Sequence, residues 1–331
     1  MGIKNLNRFL LDNCSKKSIK KTHLTHFANK TLVIDTSIYL YKFVGENTLI
    51  ESMYLFISIL KKHDITPIFI FDGKPPPEKK DLLIQRRNEK IEAEQRYMNI
   101  QKSLEELPEE NRLCAMSEME QLKKQFIRIK EEDIRKVKEL LDCYGISYYV
   151  SPGEADQLCA HFVQSGKAWG CITDDMDMFL YGCNHIIRHL SLLNHTVVYY
   201  DMVSILKDLK MSQQNFREIM VLSGTDYNTN IETNLYDTIK WFYEYNKYMF
   251  GNPNSTIEFY EWLLQNTKYI TDHYQLMKTN EMFIVENYTM FDNLIEEPNR
   301  YDLHKLRILL ETEGFIFAPL SITPLAISIA W

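Results

Sequence analysis

Four short runs of consecutive apolar residues punctuate the first half of the chain: Leu32-Val33-Ile34, Pro67-Ile68-Phe69-Ile70-Phe71, Ser147-Tyr148-Tyr149-Val150 and Trp169-Gly170-Cys171-Ile172. Runs that do not alternate with polar positions read as strands buried on both faces, the habit of a parallel sheet. Between them the apolar residues recur at helical spacing, which predicts helices over Leu49–Lys62, 133–143 and 154–164. Strands alternating with helices predict an α/β fold, a doubly wound and mostly parallel sheet.

The pattern changes between Lys74 and Glu132, where a long charged helical stretch is broken at Pro108. Its Leu83, Ile84, Ile91, Met98 and Ile100 make no full core-facing stripe. The stretch therefore reads as an insertion, either a pair of solvated helices or a mobile arch beside a site. After Asp201 the chain turns mainly helical, with a helix started by Ser212 and running through Leu222, and aromatic-rich helices from Leu235 onward. These changes divide the chain into core residues 1–73, an insertion 74–132, further core 133–228 and a helical C-terminal region 229–331.

The 331 residues are 45% hydrophobic, enough for a sizeable core. A formal charge of -7 argues against a uniformly basic nucleic-acid binder. The charge is uneven, however: Lys74, Lys79, Lys80, Arg86, Arg87 and Lys90 face only Glu78, Asp81 and Glu89 within residues 74–90. Six scattered cysteines without a Cys-x-x-Cys pair read as reduced thiols. The N-terminus carries no apolar signal core, so an intracellular, soluble protein is expected. Residues 315–331 are uncharged and mostly apolar, yet Pro319 and Pro324 interrupt them, so packing against the domain is expected ahead of a partner-binding tail, and a membrane anchor last.

The acids carry the chemistry. In an open parallel sheet, ligands bind outside the carboxyl ends of the strands. Asp35 follows the first apolar run, Asp72 the second, and Asp175 with Asp177 the fourth, while Glu154 and Asp156 follow the third across Ser151-Pro152-Gly153. A single strand-end Asp is commonly a turn residue or N-cap, and Ser151 to Glu154 also reads as a capping box. Convergence of acids from four strands on one rim is not explained that way. Such crowding repels unless cations are present, and hard oxygen donors without His or Cys suit Mg²⁺, with Mn²⁺ able to substitute. Two such ions about 4 Å apart suit phosphodiester hydrolysis. Glu92-Ala93-Glu94, far from any strand, reads as a solvated helix face.

Taken in order, Met1-Gly2-Ile3, Val33-Ile34-Asp35-Thr36-Ser37, Phe71-Asp72-Gly73-Lys74-Pro75-Pro76, Pro152-Gly153-Glu154-Ala155-Asp156, Thr173-Asp174-Asp175-Met176-Asp177 and Leu222-Ser223-Gly224-Thr225-Asp226-Tyr227 resemble the flap-endonuclease family of structure-specific 5′ nucleases, with an XPG-like, PIN-type core. The resemblance covers roughly residues 1–228. The residue choices look most like the poxvirus member of that family. It implies that Asp35, Asp72, Glu154 and Asp156 surround one Mg²⁺ while Asp175, Asp177 and Asp226 surround a second. It further implies that Lys79 and Arg86 act on the scissile phosphate, that Tyr41 stacks near the reacting nucleotide, and that Lys74, Lys80 and Arg87 contact DNA. The insertion becomes a helical gateway for a single-stranded 5′ end.

The sequence departs from the family in three places. Asp156 stands where many members have Glu, and either acid can ligate. Thr233-Asn234-Leu235 stands where the family has a Gly-x-Gly hairpin that grips duplex DNA through potassium, and its side chains block so close a backbone approach. No Q-x-x-hydrophobic-x-x-Phe-Phe sliding-clamp motif occurs.

The expected activity is Mg²⁺-dependent hydrolysis of flapped, gapped or 5′-ended branched DNA. For a poxvirus member the resemblance implies work in genome replication, recombination or repair in the host cytoplasm, beside viral replication proteins. The competing readings are a catalytically silent DNA-binding scaffold, an aspartate-nucleophile phosphatase suggested by Asp175-Met176-Asp177, and an RNA-directed PIN-type nuclease. Acids at all seven ligand positions argue against the first two, and the long basic insertion favours threaded DNA ends.

Overall fold

The computed structural model describes residues 3–104, 108–228, 233–270, 272–285 and 301–317. Its strands are β1 (Ile19–His23), β2 (Thr31–Asp35), β3 (Thr66–Phe71), β4 (Tyr148–Val150), β5 (Gly170–Ile172), β6 (His185–Ser191) and β7 (Thr196–Asp201). They form one sheet in the order β1-β7-β6-β5-β2-β3-β4. β2 pairs in parallel with β3 and β5, β3 with β4, and β5 with β6, whereas β7 runs antiparallel to both β6 and β1. The expected mostly parallel sheet is therefore present.

The helices are α1 (Leu6–Asn13), α2 (Thr36–Gly45), α3 (Leu49–Lys62), α4 (Lys80–Ser103), α5 (Glu109–Gln125), α6 (Glu131–Tyr144), α7 (Ala155–Gln164), α8 (Met202–Leu209), α9 (Gln213–Leu222), α10 (Leu235–Gly251), α11 (Phe259–Asn266), α12 (His273–Met282) and α13 (Leu303–Thr312). They cover both faces. The alternation of side chains along a strand sends Val33 and Ile70 into one core with Leu158, Cys159 and Phe162 of α7. Leu32, Ile34, Phe69 and Phe71 point the other way, into a core with Phe56, Ile57 and Leu60 of α3 and Leu140 of α6. Residues fully buried on both faces explain why the runs read as unbroken apolar segments. The helices from α10 to α12 share the α7 core, and Leu306 and Leu310 of α13 join the α3 core, so the C-terminal region has no core of its own among the described residues.

The four expected strands and the helices over Leu49–Lys62, 133–143 and 154–164 appear within a residue or two of their expected ends. The helix started by Ser212 also appears, with Asn215 N–H donating to the Ser212 side chain. Three strands, β1, β6 and β7, were not expected from the sequence, although the Thr-Val-Val-Tyr-Tyr run of β7 has strand character. β1 lies at the sheet edge and exposes Lys20 and Lys21, while β6 holds Arg188 and His189 and shifts register between Arg188 and Ser191.

The capping-box reading of Glu154 is corrected by the structure. Glu154 is itself the N-cap of α7, Ser151 Oγ donates to its carbonyl oxygen at 2.8 Å, and its carboxylate is left free for other partners. Most of the apolar tail, including Pro319 and Pro324, lies outside the described residues, although Phe315 packs on the Tyr54 ring at 5.5 Å. Among the described residues no helix is long and apolar enough to cross a membrane.

The insertion is the pair α4 and α5. Ala93 on α4 and Ala115 and Leu122 on α5 are buried, an Arg96–Glu118 ion pair of 2.5 Å joins the two, and Arg128 in the segment after α5 reaches Glu94 of α4 at 2.5 Å. Glu94 is thus half of an inter-segment ion pair and not a bare solvated acid.

Candidate active site and metal centre

The strand order places β5, β2, β3 and β4 side by side, so the acids at their carboxyl ends share one rim. Asp35 ends β2 and is 4% exposed. Asp72 follows β3 and accepts the Ala155 N–H of α7 at 2.8 Å and the Ser37 hydroxyl. That junction is tight because a Cβ on Gly73 would sit 1.9 Å from the Ser151 carbonyl oxygen, so only glycine lets the segments after β3 and β4 approach. Glu154 and Asp156 enter from the first turn of α7, and Asp175 and Asp177 from the loop after β5. Asp226 arrives from the turn after α9, closed by a bridge between Thr225 and Asn228.

Six of the seven expected ligands, Asp35, Asp72, Glu154, Asp156, Asp175 and Asp226, line one cleft of about 1070 Å³. Asp177 lies just behind it, 3% exposed. Thr173 Oγ1 holds Asp35 at 3.1 Å and accepts the Asp175 N–H, while Asp175 Oδ1 accepts the Asp177 N–H at 3.1 Å. Asp174, in the midst of the same motif, turns away and accepts the His189 N–H at 2.7 Å.

Burial, with the neighbouring charges of Asp72 and Asp175, pushes the Asp35 carboxyl up to about 8. Burial first, and then repulsion from Asp35 and Asp175, raises Asp156; burial with Asp175 and Asp226 raises Asp177. These carboxyls are paired too weakly to carry their charges unaided.

Two cations answer part of that need. Lys79 is 7% exposed, which excludes a solvated helix face, and its Nζ lies 2.7 Å from Glu154 Oε1 and 3.7 Å from Asp226 Oδ2. Burial works against its charge, but Glu154 and Asp226 outweigh that and raise its pKa. Arg86 Nη2 reaches Asp226 Oδ2 at 2.8 Å. Tyr227 places its hydroxyl on the second Glu154 oxygen and its ring 4.6 Å from Lys79 Nζ.

A divalent cation fits this donor set. Seven carboxylates face two ion-paired cations, the donors are all hard oxygens, and the buried Asp177 Oδ1 has no hydrogen-bond partner among the described residues.

The opposite wall of the cleft comes from the insertion. Arg86, Arg87, Lys90, Lys124 and Arg128 line it together with Tyr41 of α2, whose ring lies 4.9 Å from Lys90 Nζ. Lys74 and Lys80 are exposed and stand outside the lining. Ser37, Thr173 and Tyr227, which support the acids, carried no signal of their own beyond lying beside Asp35, Asp175 and Asp226.

An α/β sheet carrying a carboxylate rim beneath a two-helix arch defines a recognisable class. The XPG N-terminal domain model matches residues 1–93 and the XPG I-region model residues 145–226. The chain is 29% identical over 246 residues to "Flap endonuclease 1" of Glycine max, an alignment covering 69% of this chain and 62% of that protein. It thus spans about three-fifths of that relative's length.

The fold is similar to the catalytic core of Rad2 in complex with DNA substrate, with a TM-score of 0.64, 22% identity and 95% of each chain covered. It is also similar to the Holliday junction-resolving enzyme GEN1 in complex with product DNA and Mg²⁺, with a TM-score of 0.61, 17% identity, and 94% of this chain and 73% of that one covered. The chain belongs to the XPG family of flap-endonuclease-like proteins.

Proposed function

We propose that the chain is a structure-specific 5′ nuclease that hydrolyses phosphodiester bonds in flapped, gapped or 5′-ended branched DNA with two Mg²⁺ ions, for which Mn²⁺ can substitute. The observation that carries this reading is the gathering of six acids along one cleft with Asp177 behind them, whose buried Oδ1 lacks a hydrogen-bond partner among the described residues. Relatives named flap endonuclease, and similar folds bound to DNA and, in one, to Mg²⁺, support it.

Asp35, Asp72, Glu154 and Asp156 would hold one ion and Asp175, Asp177 and Asp226 the other. When bound, the pair supplies Lewis acidity to the attacking water and to the leaving oxygen. The protein's part is positioning. Thr173 fixes Asp35, and Ser37 with the Ala155 N–H fixes Asp72. Lys79 and Arg86, already aimed at the site, stabilise the negative charge that grows on the phosphate oxygens. Tyr41 offers a face for stacking a base, and Arg87 with the other arch cations tracks the strand, while Lys74 and Lys80 touch DNA farther out.

The narrower form of the proposal places this activity in poxvirus genome replication, recombination or repair in the host cytoplasm, independent of a sliding clamp. Thr233 and Asn234 bear on how the duplex is held. Asn234 Oδ1 accepts the Asp237 N–H at 3.1 Å and caps α10, and side chains at Thr233 and Asn234 keep a ligand from the close backbone approach that bare glycines allow.

The test is cleavage of end-labelled 5′-flap, gapped, nicked and single-stranded DNA with Mg²⁺ by the wild type and Asp175→Ala. Cutting near the junction that vanishes in the variant is expected. Binding without cutting by the wild type on every substrate would overturn the proposal in favour of a scaffold.

A further inference from the structure

Three histidines far apart in sequence meet at one corner of the sheet, and none of them lines the carboxylate cleft. His23 ends β1, His63 caps the C-terminal end of α3, and His195 lies in the turn between β6 and β7. One ligating nitrogen of each falls within 4.8 Å of the others. His63 Nε2 and His195 Nδ1 are 2.8 Å apart, and the His23 ring lies 5.0 Å from that of His63 and 5.9 Å from that of His195.

Two features hold the rings in place. The His195 backbone has φ of +52°, a conformation sparsely populated by residues with a side chain, and its carbonyl oxygen accepts the Leu24 N–H at 2.9 Å. His23 Nδ1 stands 3.1 Å from Thr25 Oγ1. His23 Nδ1 also accepts the Thr25 N–H at 3.3 Å, so the backbone and hydroxyl of Thr25 together fix the orientation of the ring.

A set of imidazoles with no carboxylate among them selects differently from the acid cleft. Neutral ring nitrogens suit zinc and its neighbours in the transition series, and suit Mg²⁺ poorly. We propose that His23, His63 and His195 form a zinc-class metal site, separate from the carboxylate centre, that clips the β6–β7 turn to the ends of β1 and α3. Bonds of about 2.0–2.1 Å to a tetrahedral ion require ligating nitrogens roughly 3.3 Å apart. His63 and His195 would then separate by about half an ångström, and the proton they share would move to an outer ring nitrogen. The fourth position would be taken by water or by a ligand from outside the trio.

The experiment uses the full chain in saturating Mg²⁺, which occupies the carboxylate centre, and measures Zn²⁺ retained after dialysis together with the visible absorption of Co²⁺ put in its place. Expected are a single retained Zn²⁺, a higher melting temperature with Zn²⁺, and intense Co²⁺ bands of a four-coordinate site. His63→Gln and His195→Gln should each weaken Zn²⁺ binding by at least about tenfold, and His26→Gln, an exposed neighbour, should not.

A wild type that retains no Zn²⁺ and shows no such Co²⁺ bands overturns the proposal, whatever the variants do. Zn²⁺ retention that survives both histidine substitutions but disappears in Asp175→Ala overturns it as well, because the metal would then sit in the carboxylate cleft. DNA cleavage is scored separately, so loss of this site and loss of the nuclease reading are distinguishable.

Discussion

The two walls of the cleft are built on opposite plans. On the rim, six of the acids follow sheet strands or stand at the start of α7 and Asp226 sits in the turn after α9, and neighbouring groups fix two of them in place: Thr173 holds Asp35, and Ser37 with the Ala155 N–H holds Asp72. On the arch, α4 buries only Ala93, and α5 only Ala115 and Leu122. The arch is joined to itself by surface ion pairs and by Lys90 Nζ donating to the Ile127 carbonyl oxygen at 2.9 Å, and to the core by Lys79 and Arg86 through Glu154 and Asp226. A metal centre needs ligands held to fractions of an ångström, which a packed sheet supplies. A wall that must admit a strand of DNA needs charge and freedom to yield, which a polar helix pair supplies. Lys79 and Arg86 sit at the seam, on the arch side by sequence and on the rim by contact.

The sharpest break in that comparison is on the rim. Asp177→Asn should abolish cleavage, by about a thousandfold or more, and leave the fold intact. In the metal-free protein it should raise the melting temperature, by about 1–2 °C for each kcal/mol of repulsion removed. Because the Asp177 carboxyl is raised, wild-type stability is lost as pH climbs through its folded pKa, so the variant's advantage should grow toward alkaline pH and fade in acid. Cleavage retained in the variant would remove Asp177 from the ligand set, and melting curves against pH check the rest.

At the seam, Lys79→Ala with Arg86→Ala should lower the single-turnover cleavage rate by about a hundredfold or more with a much smaller change in DNA affinity. Equal losses in both would make the two residues binding groups alone.

The mildest effect belongs to the arch. Glu94→Ala, which breaks the pair with Arg128, should cost less than about 1 kcal/mol in a denaturant melt, since both side chains are substantially exposed. A larger loss would show that the arch is structurally integral to the core.

The ends of β2, β3 and β5 were legible because burial on both faces writes a continuous apolar run, and β4, half-exposed at the sheet edge, was legible from its Tyr-Tyr-Val run; an acid just beyond such a run in a parallel sheet lies on the ligand-binding edge. The sequence by itself determined the parallel core, the Asp35, Asp72, Glu154, Asp156, Asp175 and Asp177 set, and the position of the charged insertion. Asp226 follows no strand and was legible only through its motif. β1 and β6 escaped because an edge strand with exposed lysines, and a strand with a register shift, lose their alternation.

Only the tertiary structure decided which side chains support the acids, that Asp174 turns away from its neighbours, and that Lys79 is buried against Glu154. It alone brought His23, His63 and His195 together, because no spacing rule links a strand end, a helix cap and a hairpin turn. Local periodicity records what each segment buries, whereas contacts between segments distant in sequence depend on how the whole sheet and its covering helices pack.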